Sequence, residues 1–132
     1  MKDASKKIIE ELTMRGYRIT KARMQVLEAL TTAHAPLHIQ AIVEMVSVDA
    51  VSVYRIIAML KKEHLVEEIN TQGDSTRYEI AHGHHHHVVC TGCNTLVHIP
   101  CDTVPVVPVA VAGFAYIDSH ELTYYGMCTK CA

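Results

Sequence analysis

Between Asp3 and Met14 the apolar residues Ile8, Ile9 and Leu12 fall on one helical face, and Gly16 follows as a stop. Thr20 is placed as an N-cap for a second helix carrying Met24, Leu27 and Leu30, which the His34 to Pro36 break ends. A third, short helix is expected over His38 to Val46. A fourth, from Asp49 to His64, has Val53, Ile56, Ile57 and Leu60 as its buried stripe. The period then changes. Val66 to Ile69 and Arg77 to Ile80 flank a polar turn from Asn70 to Ser75 that contains Gly73, the pattern of a β-hairpin. Helices followed by a two-stranded hairpin predict a winged-helix variant of helix-turn-helix with Asp49 to His64 as recognition helix. A plain helical core with an appended hairpin fits the same pattern.

The remainder reads as strands around His85 to Thr91, Thr95 to Ile99 and Phe114 to Tyr125. Pro105 and Pro108 argue against a regular helix between Cys101 and Gly113, because a proline inside a helix removes a backbone hydrogen bond. The expected class is α+β, with an N-terminal winged-helix domain over 1–80 and a small β-rich domain over 81–132.

With 132 residues split this way, neither part has a large core, and domains below about 70–80 residues usually need a staple. The chain is 49% hydrophobic and 20% charged, with no run of about 18 apolar residues, so no membrane partner is expected. The opening residues carry Lys2, Lys6 and Lys7 without an apolar stretch behind them, which points to a cytoplasmic protein with reduced thiols. Five cysteines are then ligands rather than disulfides. The net charge of −2 gives no reason to expect nucleic acid, but its distribution does. Up to Arg23 the basic residues are Lys2, Lys6, Lys7, Arg15, Arg18, Lys21 and Arg23 against Asp3, Glu10 and Glu11, whereas Lys130 is the only Lys or Arg after Ile80. The histidines are skewed the other way, seven of the ten lying between His82 and His120.

Cys90-x-x-Cys93 and Cys128-x-x-Cys131 supply four thiolates, the ligand set of a closed, structural Zn2+ site. A redox pair would explain only one of the two knuckles. Ahead of Cys90 stand His82, His84, His85, His86 and His87. In an extended segment His85 and His87 share one face and His84 and His86 the other, so two metal sites can form. Glu79, His98 and either His34 or His38 are candidates to complete the first, and His120 the second; solvated strand faces are the alternative for both. Cys101 is left open among a spare ligand, a redox-sensitive thiol and a small buried side chain.

The run Asp49-Ala-Val-Ser-Val-Tyr-Arg resembles the recognition-helix motif of the ferric uptake regulator superfamily. Arg77-Tyr-Glu, the histidine run, the two knuckles and Ser119-His-Glu-Leu-Thr-Tyr-Tyr-Gly-Met-Cys follow in that family's order. The resemblance implies a homodimer of winged-helix heads on a β-rich dimerisation domain, repressing genes when its regulatory metal is bound. It implies DNA contacts at Arg18, Ser52, Tyr54 and Arg55, a regulatory site of Glu79, His85, His87 and His98, and a structural site of Cys90, Cys93, Cys128 and Cys131. Three departures matter. The family's histidine before helix three falls near Pro36, leaving His34 or His38. His98 stands where many members have a carboxylate. The family's acidic ligand of the dimer-domain site falls at Pro105, beside His84, His86 and His120. The peroxide-sensing branch resembles the chain least, since it favours aspartates at the positions of Glu79 and His98.

A nitrogen-rich regulatory site suits Zn2+ or Ni2+ better than Fe2+ or Mn2+. The expected function is therefore a zinc-responsive repressor binding double-stranded operator DNA, with structural Zn2+ and a regulatory Zn2+ or Fe2+. Iron is the next reading, followed by nickel, manganese or peroxide response. Protons compete with metal for imidazole, so operator binding is expected to weaken at acidic pH. A zinc-ribbon interaction or metal-storage protein is the alternative of a different class. Without an H-E-x-x-H helix or a nucleophile, base and orienter grouping, neither an enzyme nor a small-molecule substrate is expected.

Overall fold

Thr20 opens the second helix as the sequence suggests: its hydroxyl accepts from the Arg23 amide at 3.2 Å. In the computed structural model, which describes residues 3–33, 35–71, 76–81, 83–101, 111–117 and 119–132, the chain forms two units, Met1–Ala81 and His82–Ala132. The first contains α1 (Asp3–Met14), α2 (Lys21–Thr32), β1 (Leu37–His38), α3 (Ile39–Met45), α4 (Ala50–Lys62), β2 (Val66–Ile69) and β3 (Arg77–Ile80). The second contains β4 (His85–Cys90), β5 (Leu96–Pro100) and β6 (Thr123–Gly126).

Gly16, at φ +90°, ends α1 with the paired bonds of a Schellman motif: the Gly16 amide donates to the Thr13 carbonyl at 3.1 Å and the Tyr17 amide to Leu12 at 2.9 Å. The helices bury Ile8, Leu12, Val26, Leu27, Leu30, Ile42, Val53, Ile56, Ile57 and Leu60 together with Val66 and Ile80 of the hairpin. The α4 stripe is the expected one. In α2 the buried face is Val26, Leu27, Ala29 and Leu30, with Met24 only half-buried; the helix is rotated by its packing relative to the spacing read from Met24. The hairpin pairs Val66 with Ile80 and Ile69 with Arg77, and β1 adds a third antiparallel strand through Leu37 and His38, giving the order β1-β3-β2. Two residues are too few for periodicity to reveal β1. Residues 72–75 of the expected turn lie outside the described residues.

In the second unit β4 is central, antiparallel to β5 and parallel to β6. The strand expected from Phe114 to Tyr125 is confined, among the described residues, to Thr123–Gly126. β4 offers its second edge only from His87 to Cys90, and Gly113 at φ +85° turns the chain, with the Phe114 amide bonded to the Val111 carbonyl at 3.1 Å. The conformation of 102–110 lies outside the described residues. The apolar interior here is small: Val89, Cys90 and Leu96 are its buried hydrophobic residues among those described. Among the described residues no helix is long and apolar enough to cross a membrane.

Candidate metal centres

The two cysteine knuckles meet. Cys90 ends β4 and Cys93 lies in the turn that leads to β5; that turn is closed by Asn94, in the left-handed region at φ +61°, and by the Cys90 amide bonded to the Thr95 carbonyl at 2.9 Å. Cys128 and Cys131 follow β6, and the Cys131 amide donates to the Cys128 carbonyl at 3.1 Å. One sulfur from each of the four cysteines lies within 4.8 Å of the others. Cys93 and Cys128 Sγ are 3.8 Å apart, the separation of about 3.8 Å that Zn–S bonds of about 2.3 Å at tetrahedral angles require. The backbone is arranged for thiolate: Cys90 Sγ accepts from the Gly92 amide at 3.3 Å and the Cys128 amide at 3.4 Å. Donation by the Cys128 amide, then by Cys93, draws the Cys90 thiol down to about 6. Cys93 is lowered chiefly by its hydrogen bond to the Thr95 hydroxyl, 3.0 Å away. Cys131 is pushed up to about 12 by its hydrogen bond with Cys128 and then with the other sulfurs, because adjacent thiolates repel. Four converging sulfur donors are the set that would hold Zn2+, whose charge would offset the repulsion among the thiolates.

The β4–β5 register sorts the histidines. His87 pairs with His98, and His85 lies two residues before His87, so these three rings share one face. Their centroids are 4.8 Å apart for His85 and His87, 4.5 Å for His85 and His98, and 5.1 Å for His87 and His98. His85 Nδ1 is 3.0 Å from the Gly83 carbonyl, the kind of backbone contact that fixes which imidazole nitrogen is left to face a metal. His86 projects to the opposite face with Ile99 and is almost wholly buried. There His86 Nε2 is 3.0 Å, and His84 Nε2 2.9 Å, from His120 Nε2. Burial, then the imidazoles of His84 and His120, holds His86 below the ordinary histidine value and favours its neutral, ligating form. Cys101, for which the sequence offered no assignment, belongs to this second group: its sulfur is 3.4 Å from His120 Nε2.

The remaining candidates lie in the first unit. Glu79 is buried on β3. His38 sits on β1 with Nδ1 3.3 Å from the Thr76 carbonyl, while His34 lies outside the described residues. On α4 the Asp49 carboxylate caps the helix by accepting from the Ser52 amide at 3.0 Å and the Ser52 hydroxyl at 2.7 Å; the hydroxyl bond, then the amide, lowers the Asp49 value. Ser52 is thereby part of the cap. Tyr54 is 58% exposed rather than a core residue, and Arg55 and Arg18 are exposed as well. Arg15, counted in the basic cluster, is committed to structure: it donates to Glu11 at 2.8 Å and to Glu63 at 2.9 Å.

Comparison with known proteins places the chain in a family. The chain is 28% identical over 135 residues to the peroxide operon regulator of Bacillus subtilis, covering 96% of this chain and 92% of that one. It is 31% identical over 126 residues to ferric uptake regulation protein 2 of Mycolicibacterium fortuitum, covering 87% and 86%. The fold matches that of the ferric uptake regulator of Helicobacter pylori, in which three functional metal-binding sites are described, with a TM-score of 0.73 at 22% identity over 97% of this chain and 91% of that one. The peroxide-sensing branch, expected to resemble the chain least, thus stands among its similar relatives. The profile of the Ferric uptake regulator family matches residues 14–125, and the chain belongs to that family.

Proposed function

We propose that this chain is a zinc-responsive repressor that binds double-stranded operator DNA as a homodimer. Family membership makes it a metal-dependent transcriptional regulator and not an enzyme; the metal, the operator contacts and the assembly are the proposal. The observation that carries the metal is the convergence of His85, His87 and His98 on one face of β4 and β5. Three imidazoles favour Zn2+ over the harder Mn2+ and Fe2+. Glu79, the carboxylate that most closely precedes this strand in sequence, is the proposed fourth ligand. The four cysteines hold a structural Zn2+, and His84, His86 and His120 form a second dimerisation-domain site.

Tyr54, Arg55 and Ser52 at the start of α4, together with Arg18 of the N-terminal basic segment, are the proposed DNA contacts. Exposure of Val97, Phe114, Tyr116, Tyr124, Tyr125 and Met127 on the second unit supports its role as the dimerising part. Metal acts by population shift, to the extent that it binds the operator-competent form more tightly than the other.

Iron is the second reading, favoured by the relative named for ferric uptake. The deciding experiment is fluorescence-anisotropy binding to a palindromic, AT-rich operator by protein that retains its structural zinc, with free Zn2+, Fe2+, Mn2+ and Ni2+ each buffered. Zn2+ alone is expected to bring tight binding at a physiological free concentration. Tight binding with Fe2+ instead transfers the assignment to iron, and metal-independent behaviour with every ion favours an interaction or storage protein.

A further inference from the structure

The two ring nitrogens and one sulfur around His120 Nε2 make an arrangement that hydrogen bonding alone does not satisfy. His120 Nε2 lies 2.9 Å from His84 Nε2, 3.0 Å from His86 Nε2 and 3.4 Å from Cys101 Sγ. A neutral imidazole nitrogen either donates one hydrogen or accepts at one lone pair, so His120 Nε2 can serve one of these neighbours well and not all three. Four lone-pair atoms aimed at one point are the geometry of a cation site. Zn–N bonds of about 2.0–2.1 Å and a Zn–S bond of about 2.3 Å at tetrahedral angles place nitrogens about 3.3 Å from one another and about 3.5 Å from the sulfur. The observed distances need to open by only a few tenths of an ångström to admit the ion.

We propose that Cys101 is the fourth ligand of this site, making it a His3Cys centre selective for Zn2+. The inference deepens the metal-regulator reading at one of its sites. The strand register explains how the cysteine arrives there. The β4–β5 ladder pairs His86 with Ile99 and ends at His85 with Pro100, so His84 and Cys101 are the residues that flank its last pair, two positions from His86 and from Ile99 respectively. His120, three residues before β6, approaches from the other edge. Cys101, which follows β5 directly, thus supplies the donor that Pro105 lacks. Replacing a carboxylate by a thiolate changes the metal the site prefers: carboxylate suits Mn2+ and Mg2+, whereas a thiolate with three imidazoles suits Zn2+. With four protein ligands the centre is closed and has no position for water.

The test uses the full chain with zinc in the cysteine tetrad, verified at one zinc per chain before and after an anaerobic Co2+ titration. The His85, His87, His98 group contains no sulfur, so a new thiolate-to-cobalt charge-transfer band in the near ultraviolet reports Cys101 alone. The expected result is such a band, retained in His98→Ala and lost in both Cys101→Ser and His120→Ala. Zn2+ affinity at this site should fall in Cys101→Ser by more than the roughly 10–100-fold that loss of an outer-shell partner costs. In the wild-type chain Zn2+ should also slow alkylation of Cys101, mapped by mass spectrometry, which keeps the test independent of how the variants fold. Tetrahedral cobalt bands that depend on His120 but carry no thiolate contribution would overturn the Cys101 assignment while leaving a histidine site intact. Absence of any cobalt signal that depends on His120, or equal alkylation with and without Zn2+, would overturn it outright.

Discussion

At Gly92 an added Cβ would sit 3.0 Å from both Cβ and Sγ of Cys131 and 3.1 Å from Sδ of Met127. Met127 can swing away, but Cys131 is held by the tetrad, so the strain falls on the metal centre. Gly92→Ala is expected to cost about 1–3 kcal/mol, the usual range for overpacking. It should also speed zinc loss to a chelator. Scanning calorimetry and a chromophoric chelator read the two effects, and an unchanged release rate would show that the second knuckle has more room than these distances indicate. Arg55 calls for the opposite test. It is exposed on α4 and lies outside the buried stripe, so Arg55→Ala is expected to leave the melting temperature and zinc content unchanged. Operator affinity should fall by about 1–3 kcal/mol if the guanidinium reads a base edge. A uniform loss across operator sequences, with a shallower salt dependence, would assign it to phosphate instead.

Helix α4 is bounded by two local devices. Asp49 caps its start; at its end the His64 amide bonds to the Lys61 carbonyl at 3.0 Å and the Leu65 amide to Leu60 at 2.9 Å, with His64 at φ +61°. This Schellman closure normally places glycine where His64 stands. A non-glycine residue in the left-handed region costs about 1–3 kcal/mol, partly offset by the greater entropy glycine loses on folding, about 0.5–1 kcal/mol. His64→Gly is therefore expected to stabilise the first unit by about 1 kcal/mol, read as a higher denaturant midpoint with an unchanged slope. A lower midpoint would mean that the His64 ring contributes packing that outweighs the backbone relief. The same devices explain what the sequence revealed. Thr20, Asp49 and the stripe from Val53 to Leu60 are local signals, and they located α2 and α4 to within a few residues. The face shared by His85 and His87 followed from the two-residue period alone. By contrast, β1 is too short to show a period, and β6 is limited by which edge of β4 is free. The role of Cys101 depends on strand stagger, which appears only once His86 is paired with Ile99. Pairing across strands is a tertiary fact that one strand's pattern does not contain.

For the molecule as a whole, the separation of basic residues into the first unit and of metal ligands mainly into the second means that regulation must be a coupling between two kinds of binding. Coupling is reciprocal: if Zn2+ strengthens operator binding by some factor, operator DNA strengthens Zn2+ binding by the same factor. A typical coupling of about 1–3 kcal/mol corresponds to roughly 5–150-fold in each direction. His98→Ala removes one imidazole from the proposed regulatory face while leaving all four cysteines in place. It is expected to keep its structural zinc, to need a higher free Zn2+ concentration for operator binding, and to lose most of the reciprocal effect. Competition titrations with a zinc indicator, run with and without operator DNA on wild type and variant, give both sides of the cycle. If DNA leaves the titrated Zn2+ affinity unchanged in the wild-type chain while Zn2+ strengthens DNA binding, reciprocity requires that the indicator is reading a Zn2+ site other than the one coupled to DNA. If DNA raises Zn2+ affinity equally in wild type and in His98→Ala, the coupling runs through another ligand set, with His84, His86 and His120 as the next to vary.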